Sequence, residues 1–175
     1  MPRQSAASET GGTHCFDSQN GGIIHEHSPT AGLKSALNET RSRMTGEKLV
    51  GRLTTGTGQG KHFTRLEWAC RQFLDKLDIN PFPGTLNLIV DDAESMNVWN
   101  RLKCTPGIRI DNPNDGPHDC DARCYLVSID EQIDAAIVLP EVGGYSPVQI
   151  EIIAATRVRT ALDIDDGDSL RLEIQ

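Results

Sequence analysis

From residue 49 to residue 175 the chain is cut into short apolar runs by clusters of glycine, proline and aspartate. This punctuation restricts the fold more than any other feature. Residues 49–54, 85–90, 124–129, 135–139 and 148–154 each have the length and side-chain character of a strand. Leu170, Leu172 and Ile174 alternate with polar residues, the two-residue period of a sheet with one buried face. The intervening segments are turn formers: Pro81-Phe82-Pro83-Gly84, residues 111–121, residues 140–147 and Asp165-Asp166-Gly167-Asp168. Only residues 67–77 have clear helical spacing. There Trp68, Phe73, Leu74 and Leu77 share one face, and Asn80-Pro81 ends the run. Residues 96–103 fit a strand or a short helix, and 156–162 suit one or two helical turns. Strands and helices do not alternate, so a doubly wound sheet is excluded. The prediction is a mainly β chain: a small barrel with one or two short helices.

Residues 1–47 differ. Gly11-Gly12, Gly21-Gly22, many Ser and Thr and few large apolar residues bury too little surface to offset ordering entropy. A polar, disordered tail over 1–47 and a barrel domain over 48–175 are expected, with at most a marginal helix at 33–44. His25 and His27 flank Glu26 in this tail, where a solvated stretch explains them as well as a metal does. The formal net charge of −8 and the absence of a clustered basic excess speak against nucleic-acid binding. No run of 18 apolar residues suggests a membrane span, and no apolar leader opens the chain, so a cytoplasmic location is expected. The five cysteines are odd in number and irregular in spacing, which points to free thiols.

Four groups of residues carry chemical potential. Thr55-Gly56-Thr57-Gly58-Gln59-Gly60-Lys61-His62 puts three glycines at alternate positions after a strand. Such a segment lets backbone approach a phosphate and leaves N–H groups to point at it. It lacks the Gly-Lys-Ser/Thr ending of a P-loop, and no helix is expected directly on the third glycine, so a plain turn competes. Thr85 and Asn87 lie two apart on a strand and face the same way. A hydroxyl and an amide oxygen are hard ligands suited to Mg²⁺, or else they cap a turn. Glu151 is a lone carboxylate in an apolar strand, where burial without a partner or a function is rare; an outward position on an edge strand is the alternative. His118, Cys120 and Cys124, with Cys104, match a zinc set only loosely, and an exposed loop accounts for them equally.

Taken in order, these pieces resemble the CTP-dependent, archaeal-type riboflavin kinase family. The matching elements are the Gly51 strand, Gly56-x-Gly58-x-Gly60, the Phe73 helix and Pro83-Gly84-Thr85-Leu86-Asn87. They continue through Ala136-Ile137-Val138-Leu139-Pro140, Glu151-Ile152-Ile153-Ala154, Arg159 and Asp166-Gly167-Asp168. The resemblance spans residues 49–175. It implies a six-stranded cradle-loop β-barrel that moves the γ-phosphoryl group of CTP to riboflavin, giving FMN and CDP. It also implies that Thr57, Gly58, Gln59, Gly60, Lys61 and His62 wrap the nucleotide phosphates. Thr156, Arg157, Val158 and Arg159 would contact the nucleotide. Thr85 and Asn87 would hold Mg²⁺, Gly143 would stand at a substrate-holding position, and Glu151 would meet the ribityl chain and accept its proton.

The chain departs from the family pattern at Gln59, Glu141, Gly143 and Ala155, where the family usually has an acid, a basic residue, a threonine and a proline. These changes motivate a second reading, a redirected barrel that binds nucleotide or flavin without turnover. A third is an interaction module that uses the tail.

Overall fold

The computed structural model describes residues 42–56, 58, 60–114 and 120–175. Seven strands form one sheet. They are β1 (Lys48–Thr54), β2 (Leu86–Ile89), β3 (Ile108–Ile110), β4 (Ala122–Ile129), β5 (Ile133–Pro140), β6 (Gln149–Ala154) and β7 (Ser169–Ile174). Their order is β3-β4-β5-β6-β2-β1-β7, and a further pairing of β4 with β7 closes the ring. Six strands therefore make an antiparallel barrel, as the sequence predicts, with the short β3 attached outside. Residues 122–124 of β4 pair with β3, and residues 127–129 pair with β7. One long strand thus serves two neighbours along a single edge. Closure leaves the ring with no free strand edge.

Alternation along the strands sorts side chains into two cores. Leu49, Leu53, Leu88, Ile137, Ile150, Ile152, Leu170 and Leu172 point inward and fill the barrel. Ala122, Cys124, Ala136, Val138 and Ile153 point outward. Helix α2 (Glu67–Leu77) lays Ala69, Phe73 and Leu77 on that outer surface. Ala122 and Ala136 keep the surface low enough for the Phe73 ring, which is fully buried. Asp78 ends α2 in a left-handed conformation, and its N–H returns to the Leu74 carbonyl. Helix α3 (Ala93–Lys103) is capped by Asp92, whose carboxylate accepts from the Ser95 N–H, and it buries Val98, Trp99 and Leu102 against the barrel core. Two short helices remain, α1 (Gly60–Phe63) and α4 (Val158–Leu162).

The structure corrects the sequence reading at several points. Leu74 is 50% exposed and lies off the buried face of α2, and Trp68 is only partly buried. The ambiguous 96–103 segment is helix, and it starts at Ala93 because Asp92 supplies the cap. Strand β3 was not anticipated: three residues beside a polar loop carry too little pattern. A helix does begin at the third glycine, although it is only four residues long. Residues 1–41, including His25 and His27, lie outside the described residues, but 42–47 do not behave as tail. Met44 is buried in the barrel core, the Gly46 N–H donates to the Ile174 carbonyl, and the Ile174 N–H donates to that of Glu47.

The two faces of α2 predict unequal mutants. Phe73→Ala is expected to cost about 3–5 kcal/mol in chemical denaturation, as for other buried aromatic truncations. Leu74→Ala is expected to stay within about 0.5 kcal/mol.

Candidate active site

The glycine loop leaves β1 at Thr54 and packs on the outward side chains at the start of β2. A Cβ at Gly56 would fall 2.3 Å from Asn87 Nδ2, and one at Gly60 would fall 2.1 Å from Thr85 Oγ1. Real side chains do not tolerate such distances, so both positions require glycine for steric reasons. Gly58 has open space around it but a φ of +84°, which glycine adopts without strain. The three glycines thus serve two purposes: two permit contact and one permits the turn.

Thr64, absent from any sequence motif, fixes this arrangement. It is almost fully buried. Its hydroxyl donates to the Gly60 carbonyl at 2.9 Å and accepts from the Gly84 N–H at 2.8 Å. One side chain therefore joins the glycine loop to the Pro-Gly-Thr-Leu-Asn stretch. The spacing does not reveal this link, since one partner is a backbone carbonyl four residues back and the other a backbone N–H twenty residues on.

Asn87 and Glu151 are direct partners across the β2–β6 pairing, and Glu151 also faces Val138 of β5. Strand β6 lies between two neighbours, so Glu151 does not sit on an edge strand, and it is half-buried. Gln149 Nε2 donates to Asn87 Oδ1 at 3.1 Å, while Asn87 Nδ2 donates to the Thr85 carbonyl at 3.2 Å. Thr85 Oγ1 lies 3.4 Å from the same nitrogen. The Thr85/Asn87 pair, two of the glycines and Glu151 therefore converge on one outward face of the barrel. Tyr145 belongs to the same neighbourhood. Its hydroxyl is buried and has no hydrogen-bond partner among the described residues. Burial first, then the nearby Glu151 carboxylate, push its ionisation well above the usual tyrosine range.

The remaining candidates divide. Arg159 donates to the Thr54 carbonyl at 3.2 Å and to Asp166 at 2.5 Å, and Asp166 also accepts from the Thr55 hydroxyl. Arg159 thus anchors the start of the glycine loop. Thr156, Arg157, Val158 and Arg159 line a cavity of about 150 Å³ together with residues 82–86. The Val158 side chain is buried in the barrel core, unlike those of Thr156 and Arg157, which are exposed. Lys61 and His62 are exposed on α1. Thr57 and Gln59 lie outside the described residues. Gly143 is exposed with open space around it. Glu141 Oε1 stands 3.0 Å from Arg123 Nε, an ion pair by distance though not an aligned hydrogen bond, so its charge is balanced within the chain. The loose zinc set does not assemble. Cys124 is buried under α2, where burial pushes its thiol up to about 12, and His118 lies outside the described residues. Among the described residues no group of three or more His, Cys, Asp or Glu side chains gathers as a metal set. None of the described helices is long and apolar enough to cross a membrane.

The described residues thus form a closed six-stranded antiparallel barrel with a glycine loop seated on a hydroxyl/amide pair beside a half-buried carboxylate. Comparison with known proteins sharpens this. The family model CTP-dep_RFKase, described as "Domain of unknown function DUF120", matches residues 53–174, and the chain belongs to that family. It is similar to the riboflavin kinase of Methanosarcina acetivorans, 39% identical over 124 residues, covering 70% of this chain and 52% of the relative. It is also similar to that of Methanosarcina mazei, 38% identical over 129 residues, covering 73% and 56%. A third relative is the riboflavin kinase of Pyrobaculum calidifontis, 35% identical over 127 residues, covering 73% and 59%. The chain thus spans little more than half the length of each of these curated relatives.

The Asp166 contacts give a pH prediction. The Thr55 hydroxyl, then Arg159, hold the Asp166 carboxyl below its ordinary value of 3.8. A lowered folded-state value stabilises the fold fully above 3.8 and is lost as pH falls from there through the folded value. Asp166→Asn is therefore expected to lose less stability than the parent between pH 5 and pH 2.5, measured by thermal unfolding at each pH.

Proposed function

We propose that the chain transfers the γ-phosphoryl group of CTP to the terminal ribityl hydroxyl of riboflavin, giving FMN and CDP. The observation that carries the reading is the fit of Gly56 and Gly60 on Asn87 and Thr85, with Glu151 directly across the sheet from Asn87. Phosphoryl transfer depends mainly on positioning and charge neutralisation, and such an arrangement supplies both with few side chains. The names of the similar proteins support riboflavin as acceptor.

In this mechanism the loop of residues 56–60 presents backbone N–H groups to the phosphates, and Lys61 and His62 add donors at its exit. Thr156, Arg157 and Arg159 hold the rest of the nucleotide. Glu151 accepts a hydrogen bond from the primary hydroxyl of riboflavin and takes its proton as the bond from that oxygen to the γ-phosphorus forms. The bond from the γ-phosphorus to the bridging oxygen breaks, and CDP leaves. Gly143 offers backbone and open space beside the acceptor. The Thr85 hydroxyl and the Asn87 amide oxygen fit Mg²⁺ as hard oxygens; Asn87 is 7% exposed, and the Gln149 bond to Oδ1 fixes its orientation. When bound, the ion would offset the charge of the phosphate oxygens. The residues assigned to it orient one another through the Asn87–Gln149 and Asn87–Thr85 contacts.

The proposed unit is one barrel domain, preceded by a segment up to residue 41 that lies outside the described residues. Cys70, Cys104 and Cys124 form no disulfide, which supports a reducing, cytoplasmic setting.

Incubation with riboflavin, Mg²⁺ and each nucleoside triphosphate tests the reaction. FMN is expected with CTP, and its absence with every donor would reject the proposal. Glu151→Gln is expected to lower kcat about 10²–10⁴-fold, the usual range for loss of a general base, with little change in donor KM.

A further inference from the structure

We propose that Phe82 is the platform on which the base of the nucleotide donor stacks, a role that rests on the nucleotide reading above and extends it to a residue outside the family motifs. Among the described residues the exposed large apolar side chains are Val50, Leu74, Phe82 and Val142, and Phe82 is the aromatic one, 43% exposed. Its position is not that of a mobile loop tip. Pro81 and Pro83 flank it, each with a fixed φ. Its own N–H donates to the Ala154 carbonyl at 2.8 Å, which prolongs the β2–β6 pairing by one bond. The ring is therefore held in water by a rigid backbone, and little ordering entropy remains to be lost when a flat partner covers it.

What lies beside the ring gives that partner its chemistry. Phe82 lines the cavity of about 150 Å³ with Leu86, Ile152 and Ala154 as apolar wall and Arg157 as cationic wall. The Arg157 carbonyl accepts from the Thr160 and Ala161 N–H groups, while its guanidinium pairs with no other described residue and is available to a ligand. A cavity of this volume accepts one six-membered ring, as engineered apolar cavities do. Thr85 connects the cavity to the phosphate side: it lines the cavity, and its hydroxyl meets the Gly60 position. A nucleotide with phosphates along the glycine loop thus runs past Thr85 and brings a single-ring base to Phe82. Stacking on an aromatic face contributes through area and π contact rather than through hydrogen bonds, so Phe82 governs how tightly the base is held.

The experiment measures CDP and inorganic tripolyphosphate binding to the full 175-residue chain by calorimetry with Mg²⁺, for the parent, Phe82→Ala and Phe82→Tyr. Phe82→Ala is expected to weaken CDP binding at least about tenfold, the lower part of the range for loss of one base stack. It should leave tripolyphosphate affinity and the thermal midpoint unchanged, and Phe82→Tyr should restore CDP affinity. Unchanged CDP affinity in Phe82→Ala overturns the inference while the nucleotide reading stands. Equal weakening of CDP and tripolyphosphate also overturns it, because the side chain would then act through the fold. A parent that binds no CDP overturns both.

Discussion

The arrangement of the candidate site depends on an absence of atoms. Asn87 of β2 and Thr85 just before that strand project into the space that side chains at Gly56 and Gly60 would fill. A side chain at either position would meet those groups at 2.1–2.3 Å and push the loop away, so glycine permits this placement. The hydrogen bonds of Thr64, Gln149 and Arg159 then hold it. The close approach brings the loop backbone beside two polar side chains on one outward face, and the proposed phosphate site rests on that proximity.

Barrel closure supplies the other constraint. Because β4 turns from β3 to β7 along one edge, the sheet forms a ring and the inward side chains make a continuous apolar core. Polar residues of the site are displaced to the outer surface, where α2 covers one part and the glycine loop another. Glu151 is half-buried on that surface, in a central strand whose inward neighbours Ile150 and Ile152 are fully buried. The same strand therefore anchors the core and presents a carboxylate, with alternation alone separating the two tasks.

Much of this was legible in the sequence. The inward alternation of Leu170, Leu172 and Ile174, the break at Asn80-Pro81 and the punctuating glycines gave strands, helix and turns close to their observed positions. Only the family resemblance connects Thr85, Asn87 and Glu151, since no local period links residue 87 with residue 151; their placement on one outward face comes from the β2–β6 register. Other features were hidden for identifiable reasons. Leu74 looked like core because its spacing fits, yet α2 touches the barrel along a narrow line through Ala69, Phe73 and Leu77. The start of α3 depended on one carboxylate cap at Asp92, and Tyr145 reaches the site from a loop with no pattern of its own.

The Thr64 hydroxyl has a consequence for ligand recognition. By bonding Gly60 on one side and Gly84 on the other, it couples two segments that the proposed nucleotide site uses. A hinged flap folding over its ligand would need these segments to separate, and that would strand a buried hydroxyl. On the proposed reading, recognition is consequently closer to insertion into a cast shape than to the closing of a jaw. Affinity then follows from how little the protein has to rearrange, and variants that loosen this rivet are felt as faster release rather than as slower capture.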